Sequence, residues 1–209
     1  MPATTATAEK IDLFKQHKDE YIKPKSPKLV DVGPVPYLVV RGSGAPGSKS
    51  FEIAIAALYG MAYTLKFQSK FAGRDYVVGK LEALYGVDGQ TTADLGRLDT
   101  SNWNWRMMIR LPEFVTEEHL ATARETLREK GKDGDFETVV RETIEEGQCV
   151  QMLHIGPYEN EPQTVGEMLS FADEQGLSPH LWHHDIYLSD PRRAAPEKLR
   201  TIVRIPVKR

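Results

Sequence analysis

In His183-His184-Asp185-Ile186-Tyr187-Leu188, groups that can move protons recur at every second position. An extended strand puts His183, Asp185 and Tyr187 on one face and His184, Ile186 and Leu188 on the other. A carboxylate on a strand whose back packs against a core has to face water, a partner or a ligand. If burial raises its pKa it can act as base or acid, and a phenol beside it can donate to a developing oxyanion. The plainer alternative is a strand with one solvated face. Ser189-Asp190-Pro191 stops the run, because proline brings no N–H and restricts the residue before it. Arg192-Arg193 then reads as a solvated turn pairing with Asp190 rather than a phosphate site.

A second acid, Glu82, lies in an apolar stretch spanning 75–85 that reads as a strand. In 102–111, Trp103, Trp105 and Met107 alternate with polar residues, so one strand face carries two indoles. Those rings suit either a core or a wall on which flat or cationic molecules stack. Tyr59 and Tyr63 are four apart on a helix over 51–67, beside the stripe Phe51, Ile55, Leu58, Ala62 and Leu65. They either edge the core or rim a pocket.

Other chemistries find less support. His183 and His184 are adjacent on a strand, point oppositely and cannot share one ion, and there is no H-E-x-x-H, so no metal site is expected. No G-x-S-x-G supports a serine triad. The loop 42–48 has three glycines but neither phosphate-binding register. Cys149, the only cysteine, sits in an apolar strand and reads as core, and a lone cysteine fits a reducing cytoplasm.

The 209 residues suffice for one sizeable domain, with 40% hydrophobic and 27% charged residues. A net charge of −3 implies no general attraction to nucleic acid or anionic membrane. No apolar run approaches the ~20 residues of a membrane span.

Residues 1–27 read as a polar arm with a short helix over 9–17, and the fold begins near Lys28. Strands are expected at 35–41, 75–85, 102–111, 139–144, 148–154, 183–188 and 199–207. Glu145-Glu146-Gly147 reads as a hairpin turn. One helix is capped by Thr116 and stops at Gly131, and another begins near Pro162 and stops at Gly176. The two halves, about 28–131 and 132–209, look alike. Met108-Ile109-Arg110-Leu111-Pro112 parallels Ile202-Val203-Arg204-Ile205-Pro206, and Glu82…Tyr85 parallels Asp185…Tyr187. The expectation is an α+β fold made of two βαββ-type modules in tandem, with both acids facing one cleft.

Gln151-Met152-Leu153-His154-Ile155-Gly156-Pro157-Tyr158, then Thr164, then His183–Arg193 and Pro196-Glu197-Lys198-Leu199, resemble the GyrI-like (gyrase-inhibitor-like) small-molecule-binding family. Tyr63-Thr64-Leu65-Lys66-Phe67 and Trp103-Asn104-Trp105 resemble its standalone branch. The resemblance covers the chain from about Lys28 onward. It implies a tandem of SHS2-type modules around a central ligand cleft, and a bulky apolar or cationic small molecule as partner. Some relatives are effector domains of multidrug-responsive transcription factors, and others protect against gyrase poisons. The standalone branch resembles hydrolases that open the cyclopropane ring of DNA-alkylating natural products, with no cofactor. The family usually has glutamate where this chain has Asp185, and tends to have a tryptophan near Tyr85 and Gly86.

The expected catalytic residues are therefore Asp185, placing and activating water, then Glu82, with Tyr187 or Tyr158 donating to the oxyanion. Tyr59, Tyr63, Trp103, Trp105, Met107, Tyr158 and His183 are expected to line the ligand site. A drug-sequestering or sensing module, or a gyrase-protecting interaction protein, stays open as an alternative. Direct binding of nucleic acid is not expected, because the chain has no helix-turn-helix and no basic patch.

Overall fold

The computed structural model describes residues 10–90, 92 and 100–209. Two strands of 16 residues, β1 (Lys28–Ser43) and β4 (Val140–Ile155), form its backbone. They pair antiparallel in one constant register, from Lys28 opposite Gln151 to Val39 opposite Val140. The short strands β2 (Glu82–Gly86), β3 (Asn104–Arg110), β6 (His183–Tyr187) and β7 (Arg200–Lys208) complete the order β4-β1-β3-β2-β6-β7. Pairing of β4 with β7 closes these six into an antiparallel barrel, which leaves none of them with a free edge. A two-residue strand, β5 (Ser178–Pro179), adds to β7.

Helices cover the outside. After the single turn α1 (Leu13–Gln16), α2 (Lys49–Phe71) lies over β1 and β3, and α3 (Glu117–Glu129) packs on α2. The last helix, α4 (Glu161–Glu174), lies over β4 and β7. Period-2 alternation divides each strand between two environments. Leu38, Val40, Trp105, Met107 and Ile109 meet Leu58, Met61 and Leu65 of α2, while Val150, Met152, Val203 and Ile205 meet Met168 and Ala172 of α4. The alternate residues Val35, Tyr37, Val39, Leu84, Met108 and Cys149 fill the barrel. Among the described residues no helix is long and apolar enough to cross a membrane.

Three expectations need correction. The hairpin at Glu145-Glu146-Gly147 does not form. Gly147 takes a positive φ of 65° but stays paired opposite Val32, so the chain runs on as β4. Eleven residue pairs with β1 span both sides of it, and Glu146 turns inward. The strand expected over 75–85 shrinks to Glu82–Gly86, with Tyr76 making only an isolated bridge to Ile11. The arm before Lys28 packs into the fold where it is described. Tyr21 is buried, the Gln151 amide donates to the Glu20 and Ile22 carbonyls, and Leu153 N–H donates to Pro24.

Candidate active site

The pairing of β2 with β6 decides which groups meet. Ala83 lies opposite Asp185 and Tyr85 opposite His183, and these point outward with Tyr187. Glu82 lies opposite Ile186 and Leu84 opposite His184, and these point into the barrel. Glu82 and Asp185 are thus on opposite faces of the sheet, and the expectation that they share a cavity is overturned. The cause is parity: Glu82 and Tyr85 are three apart, whereas Asp185 and Tyr187 are two apart.

Inside the barrel Glu82, His184, Glu146 and Arg204 lie in contact as two acids and two bases. Tyr21 and Tyr37 donate to the Glu82 carboxylate at 2.8 and 3.1 Å. His184 Nε2 lies 2.9 Å from Glu82 Oε2, and its Nδ1 lies 3.0 Å from both Glu146 oxygens. Arg204 donates to Glu146 and to the side-chain Oε1 of Gln151, each at 2.7 Å. Burial alone would discharge His184, but Glu146 and Glu82 hold its pKa up at about 9. Burial likewise opposes ionisation of Glu146, but His184 and Arg204 bring it down to about 2. This is a structural ion network with its charges compensated.

The outer face is built differently. Helix α4 opens with Glu161, followed by Pro162 in its first turn, where the missing N–H costs nothing. The turn before it is held by buried His154, whose Nδ1 is 2.9 Å from Thr164 Oγ1 and whose Nε2 is 3.2 Å from the Pro157 carbonyl. This brings Tyr158 edge-on to Tyr187, at 5.9 Å between ring centroids, and Glu161 beside β6. His183 Nε2 lies 3.8 Å from Asp185 Oδ2 and 3.9 Å from Glu161 Oε1. The Tyr85 and Tyr187 hydroxyls are 2.8 Å apart. Trp103 packs 5.6 Å from Tyr85 and 6.3 Å from His183, centroid to centroid.

Asp185 is only 3% exposed, and among the described residues its Oδ1 has no hydrogen-bond partner, nor do Glu161 Oε2 and His183 Nδ1. Burial, and then the Glu161 charge, push the Asp185 carboxyl well above its usual range. Burial raises Glu161 to about 7. Burial and the charge on His184 bring His183 down to about 4, so its imidazole is neutral at pH 7. Burial, and then Asp185, raise Tyr85, and burial with Tyr85 and Asp185 raise Tyr187, so both phenols keep their protons. The result is a largely buried patch of two proton-hungry carboxyls, a neutral imidazole and a pair of phenols, walled by rings.

Of the residues singled out in the sequence, His183, Asp185, Tyr187, Tyr158 and Trp103 meet here. Trp105 and Met107 do not reach it. Trp105 is packed edge-on against Phe51 and over Gly42, where a Cβ would lie 2.1 Å from the indole, and Met107 is fully buried beneath α2. Tyr63 is exposed and stacks on half-buried Tyr59, whose pKa is raised by burial and then by Tyr63. Glu161 and Tyr85 were missed. For Glu161 the only local signal was an acid directly before the helix-starting proline. Tyr85 could have been found by taking alternation along β2 strictly. His183 and His184 point oppositely and share no ion, yet His183 is grouped with Asp185 of its own strand and Glu161 of α4.

A solved structure of a hydrolase from Listeria innocua is 40% identical, with 96% of this chain and 100% of that chain covered, at a TM-score of 0.86. An uncharacterized conserved protein from Listeria innocua is 38% identical, with 95% and 100% covered, at 0.87. The C-terminal domain of EcmrR shares the fold at 10% identity, with 88% and 98% covered, at 0.60. No curated protein matches. The model of the GyrI-like small molecule binding domain matches residues 25–208, and the chain belongs to that family.

Proposed function

We propose that the outer face of β2 and β6, between α2 and α4, is the floor of a ligand cleft, and that the chain hydrolyses a flat, mainly apolar molecule bound there without a cofactor. One observation carries this reading. Asp185 is buried with an unpartnered oxygen, inside a shell of aromatic rings and next to a second carboxyl. A buried acid without a partner costs folding energy, and a ligand or reacting water would supply what it lacks. The 38–40% identical Listeria structures named hydrolases support the choice of reaction class. Leaving aside two-residue β5 and the helix α3, both halves run strand, helix, strand, strand, which supports an origin as two βαββ modules with the cleft at their junction.

The substrate class is a cyclopropane-bearing alkylator whose strained ring is conjugated to a carbonyl. One carboxyl of the Asp185–Glu161 pair, in its ionised form, takes a proton from water as the water oxygen bonds to a ring carbon. The ring C–C bond breaks and its electrons move to the carbonyl oxygen. The protonated partner carboxyl, or the Tyr85–Tyr187 pair, supplies the proton or hydrogen bond there. Aspartate is shorter than glutamate by one C–C bond, about 1.5 Å. Glu161, reaching in from α4, offers the second carboxyl that Glu82 cannot.

The test is to incubate the chain with such an alkylator and follow the ring-opened product, with tryptophan fluorescence reporting binding. Turnover lost in Asp185→Asn and Glu161→Gln but not in Arg192→Ala supports hydrolysis. Tight binding with consumption at the background rate would leave a sequestering protein instead.

A further inference from the structure

We propose that Glu161, His183 and Asp185 also form a site for one divalent transition cation, and that the ion, when bound, excludes the organic ligand. The exclusion rests on the cleft proposed above, whereas the site itself rests on geometry alone. One donor atom from each of the three residues lies within 4.8 Å of the other two. His183 Nε2 is 3.8 and 3.9 Å from the nearest acid oxygens, too far for hydrogen bonds, so these groups are gathered without satisfying one another. Asp185 and His183 are 3% and 5% exposed, and each keeps a polar atom unpartnered.

A zinc-class ion with ligands at about 2.0–2.2 Å in a tetrahedron holds them roughly 3.3–3.6 Å apart. The two histidine–acid distances would close by only a few tenths of an ångström, and the acid–acid separation, which is within 4.8 Å, by up to about 1.5 Å. Glu161 stands at the first turn of α4, where a glutamate side chain has the reach to adjust. Two carboxylates balance the double charge, and the imidazole selects zinc, cobalt or nickel over calcium and magnesium, which take oxygen ligands in larger number. Three protein donors leave a fourth position open. Metal-bound histidines normally anchor their second nitrogen on an acceptor, but His183 Nδ1 has none among the described residues. The geometry therefore points to an exchangeable ion that competes for the cleft rather than a permanently held one.

Cobalt(II) added to the untagged full chain is the probe, because a low-coordinate cobalt site absorbs visible light. The expected result is a saturable band, abolished by zinc and weakened at least about tenfold by His183→Gln and by Glu161→Gln. Thermal unfolding of both variants separates ligand loss from misfolding, and Glu161→Gln, on the rim, is read if His183→Gln does not fold. No saturable band up to about 1 mM cobalt, or a band untouched by either variant, overturns the site. Zinc that leaves the binding of an aromatic probe unchanged overturns the exclusion. Probe binding is measured separately in chelator, so failure of the cleft proposal and failure of the metal site are read independently.

Discussion

His184 and Asp185 are consecutive residues on one strand, yet they inhabit opposite electrostatic worlds. His184 faces into the barrel between two carboxylates, with Arg204 completing a balanced set. Asp185 faces outward, equally buried, but its neighbours are another acid and an imidazole that burial keeps neutral. Burial penalises charge in both places, and the difference lies in what surrounds it. Inside, counter-charges hold His184 and Glu146 ionised, and the network serves the fold. Outside, the mismatch stays uncompensated among the described residues, and the proposed ligand site rests on it.

If that contrast is right, substitutions in the two regions should separate activity from stability. The largest effect is expected from Asp185→Asn, which should cut turnover by roughly 10²–10⁴. Its melting temperature should stay level or rise, because an uncompensated buried acid is removed. A steady-state assay beside a melting curve checks both. Next, Arg204→Met should strand Glu146 without its guanidinium partner and destabilise the fold by about 3–5 kcal/mol, read by denaturant unfolding. A mild loss there would mean that the inner charges are not compensating one another.

A smaller effect tests the packing that frames the two regions. A Cβ at Gly86 would lie 2.1 Å from the Trp182 indole, which also stacks 5.1 Å from the Arg106 guanidinium. Gly86→Ala should cost about 1–3 kcal/mol by overpacking. The same contact bears on the tryptophan that the resemblance leads one to expect near Tyr85 and Gly86, since here Trp182 fills that space from β6's side. The most graded effect is with pH. Glu146 has its folded pKa depressed from 4.5 to about 2, so its contribution to stability is present above about 4.5 and is lost as pH falls toward 2. Unfolding free energy followed across that window should fall with acid in the wild type, and less steeply in Glu146→Gln.

Much of this was legible in the residues. The alternation His183, Asp185, Tyr187 against His184, Ile186, Leu188 is the division the strand makes. The stripe Leu58, Ala62, Leu65 is buried on α2, and Thr116 and Gly131 bound α3. What failed had physical causes. Glu82 was matched to Asp185 by its neighbour in sequence rather than by its face, and one residue of spacing reverses a strand's orientation. The Glu-Glu-Gly turn was read from local propensity, which a long pairing with β1 overrides. Glu161 enters from a helix in another part of the chain, and no spacing along the sequence announces that juxtaposition. Nor does alternation tell a tryptophan packed beneath a helix, as Trp105 is, from one set beside Tyr85 and His183, as Trp103 is.

The most direct measurement is a crystal structure with a flat aromatic substrate analogue bound. The account predicts the ligand on the outer face of β6, with a polar atom within hydrogen-bonding distance of Asp185 or Glu161 and a ring against Trp103 or Tyr158. A ligand seated in the barrel beside Glu82, or held anywhere that leaves both outer carboxyls untouched, would contradict it.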